Sequence, residues 1–386
     1  MRYLDQLADR IDAQQSVNLF RQRLVVDSAR FEQIEVAGDR LINFSSNDYL
    51  GLAHHPKLKE SVSFATETMG VGSGASHLVT GHQNVHRALE LKLAEFTHAE
   101  SALIFSSGYM ANLAVISTLV GRRGAVVADK LNHASLIDGA ILSRGKLLRY
   151  RHKDLADAES RLVGLKGGAD LLVSDSVFSM DGDLADVSGL QSLSEHYDVP
   201  LLLDDAHGFG ILGEGRGIRA HEKLRDNVII VGTLGKALGV YGAFVAGPQL
   251  LIQALIQFAR PYIYTTSIPP SMAAATLKSI ELLETEPARL QTLFKNINQF
   301  KALAKCRNLP IVESDTPIQP IVVKDSARAL RISNELRRRG YLLTAIRPPT
   351  VPAGSARLRL TLSAAHSFEQ IKSLVEELSI VLNLEL

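Results

Sequence analysis

One lysine, Lys236, stands in an otherwise apolar and glycine-rich run, IIVGTLGKALGVYG, from Ile229 to Gly242. Burying an ammonium without a partner costs roughly several kcal/mol, so fold stability does not explain the choice. Chemistry does: a desolvated lysine loses its proton more readily and becomes an amine nucleophile. Thr233 lies just before it, and Gly232, Gly235 and Gly239 would let the backbone approach a ligand closely. The plainer alternative is a lysine snorkelling from a buried strand end. Two other uses fail. A mid-span lysine and five glycines within residues 228–247 argue against a membrane-spanning helix. A lysine-type phosphate loop needs a glycine and a hydroxyl residue where Ile230 and Ala237 stand.

The elements that must position Lys236 follow from periodicity. From residue 82 onward, helix and strand patterns alternate, with strands expected at 101–106, 125–129, 170–174, 199–204 and 228–232. Short apolar strands separated by helices define an α/β fold with a mainly parallel sheet covered on both faces. In such sheets ligands bind at the carboxyl ends of the strands. Gly108, His133, Ser179, Asp204, His207 and Lys236 all fall just after strand ends. Singly, each has a plain reading: His133 as a helix cap, Asp204 as a structural acceptor. Their shared topological place is the stronger observation.

The rest of the chain divides around this region into an N-terminal helix and hairpin segment (1–45), a large domain (46–270) and a small C-terminal α+β domain (271–386), near which the N-terminal segment is expected to pack. A helix is expected over 3–23, with Arg21 and Arg23 at its basic end, then a hairpin over 32–44. NFSSNDYLGL (43–52) reads as a polar loop, and Pro56 opens a helix that stops before Gly70. GVGSGA (70–75) imitates a dinucleotide loop but follows a helix rather than a strand, so that reading is rejected. Near the C-terminus, the prolines of IRPPTVPAG (346–354) restrict a loop carrying Arg347 and Thr350. Strand alternation in RLRL puts Arg357 and Arg359 on one face. They serve either to guard an edge strand or to hold a carboxylate bidentately.

Composition narrows the class. Lys plus Arg is 42 against 41 for Asp plus Glu, which leaves no basic field for nucleic acid. The single cysteine, Cys306, excludes an internal disulfide and any cysteine metal cluster, and fits a reducing cytoplasm. No apolar signal core opens the chain.

Taken as an imine-forming amine, Lys236 calls for an aldehyde cofactor, and pyridoxal 5'-phosphate matches the inventory. Its ring nitrogen needs a carboxylate, for which Asp204 is placed; its phenolic oxygen needs a donor, for which His207 is placed. Its phosphate needs N–H groups at a helix start, as at Gly108-Tyr109, and a hydroxyl, as at Thr233. His133 can cover the ring face. The motifs SNDYLG (46–51), SGYMAN (107–112), DDAHG (204–208), GTLGKALG (232–239) and PTVPAG (349–354) together resemble those of the α-oxoamine synthases. These are fold-type-I pyridoxal-phosphate enzymes that condense an amino acid with an acyl thioester and lose CO2. The resemblance spans nearly the whole chain, with the motifs in family order.

The resemblance implies that Lys236 carries the cofactor and that His133, Ser179, Asp204, His207, Thr233, Gly108 and Tyr109 contact it. It implies Asn47 and Arg359 at the amino-acid carboxylate, Arg21, His133 and Thr350 at substrate, and a homodimer in which Thr265 or Thr266 reaches the neighbour's phosphate. AIRPPTVPAGSARLRLTLSAAH (345–366) is most similar to the branch using L-alanine and a pimeloyl thioester, carried on acyl carrier protein (pimeloyl-ACP) or coenzyme A (pimeloyl-CoA). Rival readings are glycine with acetyl- or succinyl-CoA, and a non-enzymatic α/β anion binder.

Overall fold

The computed structural model describes residues 2–30, 32–165, 167–225 and 227–384. The chain forms two compact units. One comprises Leu50–Ser179 and Asp183–Leu290; the other comprises Met1–Tyr49, Met180–Gly182 and Gln291–Leu386. The boundary thus falls at Leu290, beyond the residue 270 read from the sequence. The reason is packing: helix Pro270–Thr285 lies against Pro56–Met69 and Asn84–Phe96, inside the first unit.

The first unit is built on a seven-stranded sheet. Its spatial order is Ser101–Phe105, Ala243–Gly247, Ile229–Thr233, Leu201–Asp204, Leu171–Asp175, Ala125–Asp129, Lys146–Tyr150. All pairings are parallel except those of Ala243–Gly247, which is antiparallel to both neighbours. The apolar runs read as strands are buried on both faces: Val126, Val127, Leu172, Leu202, Leu203 and Val231 are fully buried. Each such side chain contributes about 1.5–3 kcal/mol as an upper estimate. The stretch that resembled a membrane span is this strand pair and its hairpin. Among the described residues, no helix is long and apolar enough to cross a membrane.

Two of the glycines assigned to ligand approach have other uses. A Cβ on Gly232 would lie 2.4 Å from the Phe244 ring, and one on Gly239 (φ 68°) would lie 2.3 Å from the backbone nitrogen of Ala53. They serve packing within the protein; a Cβ on Gly235 would make only ordinary contacts, 3.6 Å from the Val240 carbonyl oxygen and 3.9 Å from Thr233 Oγ1. The loop GVGSGA is pinned, with Ser73 Oγ donating to the Ser267 carbonyl at 2.7 Å and Ser76 bridging to Thr266.

In the second unit, strands Gln33–Val36 and Asp39–Asn43 form the expected hairpin, which pairs with Tyr341–Leu342. A three-stranded sheet places Ala356–Thr361 between Ile318–Lys324 and Thr344–Ile346. RLRL is therefore a central strand and not a guarded edge. The first helix ends earlier than its charge pattern implies. It spans Arg2–Ser16, and Asn18 at φ 59° turns the chain out, so Arg21 lies beyond it in an extended segment. Helix Ala288–Cys306 ends on the chain's one cysteine, which is exposed.

Candidate active site

Strand ends and helix starts of the first unit converge on a pocket of about 180 Å³. Gly108, Tyr109, His133, Ser179, Asp204, His207, Thr233 and Lys236 all line it, so the sequence-based candidates of this unit are brought together. Lys236 is half-buried, and its Nζ lies 2.8 Å from His207 Nε2. That distance joins residues from the ends of adjacent strands, which is why periodicity alone could anticipate the pair.

Asp204 closes a parallel strand and is 6% exposed. Its Oδ1 accepts from the Ala206 N–H at 2.9 Å and its Oδ2 from Asn112 Nδ2 at 2.6 Å. Asp205, its neighbour, serves the other side. It accepts from Ser176 Oγ at 2.6 Å and the Ile218 N–H at 2.8 Å, and burial raises its pKa to about 7. Asp175 stands opposite Asp204 on the adjacent strand and also lines the pocket. Burial, and next the Asp204 carboxyl, push its pKa well above the usual carboxylate range. Its Oδ2 accepts from the His133 N–H at 3.1 Å, while its buried Oδ1 has no partner.

The helix Gly108–Leu119 begins at the rim. Ser107 caps it by accepting from the Met110 N–H at 3.3 Å. A Cβ on Gly108 would meet nothing within 4 Å, so the helix start faces open space of the kind an anion occupies. Tyr109 is anchored by its hydroxyl to Asp138. Behind the Ser179 loop, His152 bridges Asp129 and Asp183, each at 3.1 Å, with its ring edge-on to Phe178.

These carboxylates outweigh the opposing burial and raise His152 to about pH 9. The folded-state value lies above the unfolded 6.5, so the stabilisation is complete below pH 6.5 and is lost as pH rises through about 9. Tm measured from pH 6 to 10 is expected to fall between pH 6.5 and about 9 and to level off above, and the fall should flatten in His152→Gln.

Thr265 and Thr266 lie elsewhere in the first unit; the remaining candidates lie in the second. Arg359, 7% exposed, donates to Asn47 Oδ1 at 3.1 Å, and the Tyr49 hydroxyl donates to the same oxygen at 3.1 Å. Arg357 is equally buried but is paired with Asp181 and the Met180 carbonyl. Arg347 donates to the carbonyls of Asn18 and Phe20, which fixes the segment leading to Arg21. Thr350 is exposed, and its N–H donates to the Arg347 carbonyl at 3.1 Å. Sequence reading missed Asn112, Ser135 and Asp175. Asn112 lies within SGYMAN, but nothing local marks it as a partner of Asp204.

The inventory fits pyridoxal phosphate. A buried carboxylate faces the pocket, an uncrowded helix start and a hydroxyl can take the phosphate, and an amine stands beside an imidazole. Residues 39–378 match the class I and II aminotransferase family. The chain is 53% identical over 376 residues to an 8-amino-7-oxononanoate synthase of Pseudomonas putida, covering 97% of this chain and 96% of that one. It is 52% identical, with the same coverage, to the enzyme of that name from Stutzerimonas stutzeri. Among solved structures, serine palmitoyltransferase from S. paucimobilis with bound PLP–myriocin aldimine superposes with a TM-score of 0.93 at 27% identity, covering 100% and 98% of the two chains. The 8-amino-7-oxononanoate synthase of Francisella tularensis gives 0.79 at 32% identity, covering 89% and 98%.

Fold and pocket thus define a fold-type-I pyridoxal-phosphate enzyme of the transferase class. The chain belongs to the class I and II aminotransferase family and, within it, to the 8-amino-7-oxononanoate synthases.

Proposed function

We propose that the protein condenses L-alanine with a pimeloyl thioester, releasing CO2 and the free carrier, to form 8-amino-7-oxononanoate for biotin synthesis. The observation that carries this is Lys236 Nζ at 2.8 Å from His207 Nε2 in a pocket also lined by Asp204. The identity to enzymes of that name supports the choice of substrates.

Pyridoxal phosphate, when bound, takes up the electron pair left at the amino acid's Cα when its proton or carboxylate departs. The chain's residues have the following roles. Lys236 attaches the cofactor and then, as a free amine, accepts the Cα proton at Nζ. Asp204 holds the proton on the ring nitrogen, and His207 donates to the phenolic oxygen. Gly108, Tyr109 and Thr233 take the phosphate; Ser179 and His133 border the ring, with His133 also touching substrate. Arg359 and Asn47 take the alanine carboxylate, while Arg21 and Thr350 contact substrate, with Arg347 holding the Arg21 segment.

The active protein is proposed to be a cytoplasmic homodimer. In support, helix Arg2–Ser16 has no buried residue and exposes Tyr3, Leu4, Leu7 and Ile11. Thr265 and Thr266 are proposed to reach the neighbour's phosphate.

The test is an assay of the purified protein with L-alanine and pimeloyl-CoA or pimeloyl-ACP, run beside glycine with acetyl- or succinyl-CoA. A preference for glycine would overturn the substrate choice; a colourless protein that takes up no pyridoxal phosphate would overturn the chemistry. A second expectation concerns Arg359→Lys, which loses the two-pronged carboxylate contact. KM for L-alanine should rise roughly tenfold to a hundredfold while cofactor uptake is unchanged. Steady-state kinetics with a cofactor titration checks it.

A further inference from the structure

We propose that Asn112 and Ser135 are positioning residues that decide which nitrogen of His133 carries the proton. The inference rests on reading the pocket as the cofactor and substrate site.

Asn112 is fully buried, as is Ser135. The amide Nδ2 of Asn112 lies 2.6 Å from Asp204 Oδ2 and 2.8 Å from Ser135 Oγ. A carboxylate oxygen only accepts, so it selects the amide's NH2 side and not its carbonyl. The same orientation leaves Asn112 Oδ1 buried without a partner, a cost the opposite orientation would not remove without setting oxygen against oxygen. Both amide protons are thereby used. Ser135 Oγ accepts one of them, so its own single proton is free for its other neighbour, His133 Nδ1, at 2.8 Å. The Ser135 backbone N–H addresses that same nitrogen at 3.3 Å.

A ring nitrogen that receives two donors must present its lone pair. The neutral ring of His133 therefore bears its proton on Nε2. Donation runs outward from one acceptor: Asn112 gives to Asp204 and to Ser135, and Ser135 gives to His133. The carboxylate assigned to the ring nitrogen thus also sets the histidine as a donor at Nε2. A donor there suits an oxygen of the substrate, a carbonyl or carboxylate, and not an abstractable proton.

The experiment is 15N NMR of histidine-labelled holoenzyme, with the His133 signals identified by their absence in His133→Gln. The wild type is expected to show an unprotonated Nδ1 and a protonated Nε2. Asn112→Asp places an acceptor where Ser135 now finds a donor, so the hydroxyl turns toward the new carboxyl and His133 must donate from Nδ1. The tautomer ratio should shift roughly tenfold toward the Nδ1–H form. Adding Ser135→Ala to Asn112→Asp removes the relay and should restore the Nε2–H form, a recovery that general loosening of the fold would not produce. A wild-type ring protonated on Nδ1 overturns the inference, even if the variants do not fold. So does an unchanged ratio in Asn112→Asp, or a shift that the second substitution fails to reverse. Cofactor absorbance in the same samples reports separately on the reading of the pocket, and its absence would sink that reading without deciding the tautomer.

Discussion

Lys236→Ala is expected to lose the yellow colour of the bound cofactor and at least about a thousandfold of the turnover. The amine has two tasks, attachment of the cofactor and acceptance of the Cα proton, and alanine performs neither. His207, 2.8 Å from Nζ, loses that contact but stays in a pocket whose other walls are unchanged. Pyridoxal phosphate should still bind noncovalently, held at the helix start and by Thr233. Borohydride treatment followed by mass spectrometry separates the cases: wild type gains a stable adduct on the peptide containing Lys236, and the variant gains none. Turnover retained within tenfold would remove Lys236 from its assigned role.

Asp204→Asn should fold, bind cofactor and lose about a hundredfold or more in kcat. The substitution is nearly isosteric. Its surroundings can adapt, because Asn112 Oδ1 is buried without a partner and the Asn112 amide can turn to receive a new N–H. The charge is what disappears, and with it the means of keeping the cofactor ring nitrogen protonated. Near-normal KM for L-alanine alongside the fall in kcat would place the effect in the chemical step. Equal activity of variant and wild type would remove Asp204 from the ring nitrogen.

What was legible in the chain follows physical range. Strand ends are local events, so Gly108, His133, Ser179, Asp204, His207 and Lys236 could be placed together from periodicity and the geometry of parallel sheets. Within DDAHG the strand end singles out Asp204 but says nothing of what Asp205 does. Only the fold shows Asp205 turned to Ser176 and the Ile218 N–H while Asp204 lines the pocket. Asn112 was invisible because its partners come from elsewhere in the chain: Asp204 from a strand end and Ser135 from the helix Ala134–Ser143 packed against its own. The helix end at Ser16 was overestimated because charge continued to Arg23 while the backbone turned at Asn18. Gly232 and Gly239 were credited to a ligand because glycine shows that something comes close, but not whether that something is Phe244, Ala53 or a cofactor.

The exposed thiol that closes helix Ala288–Cys306 has a practical use. With a single such group per chain, and none in the pocket lining, a maleimide dye would attach at one known address without any engineering. Stepwise bleaching of single labelled particles would then count the chains in an assembly, one tag for each.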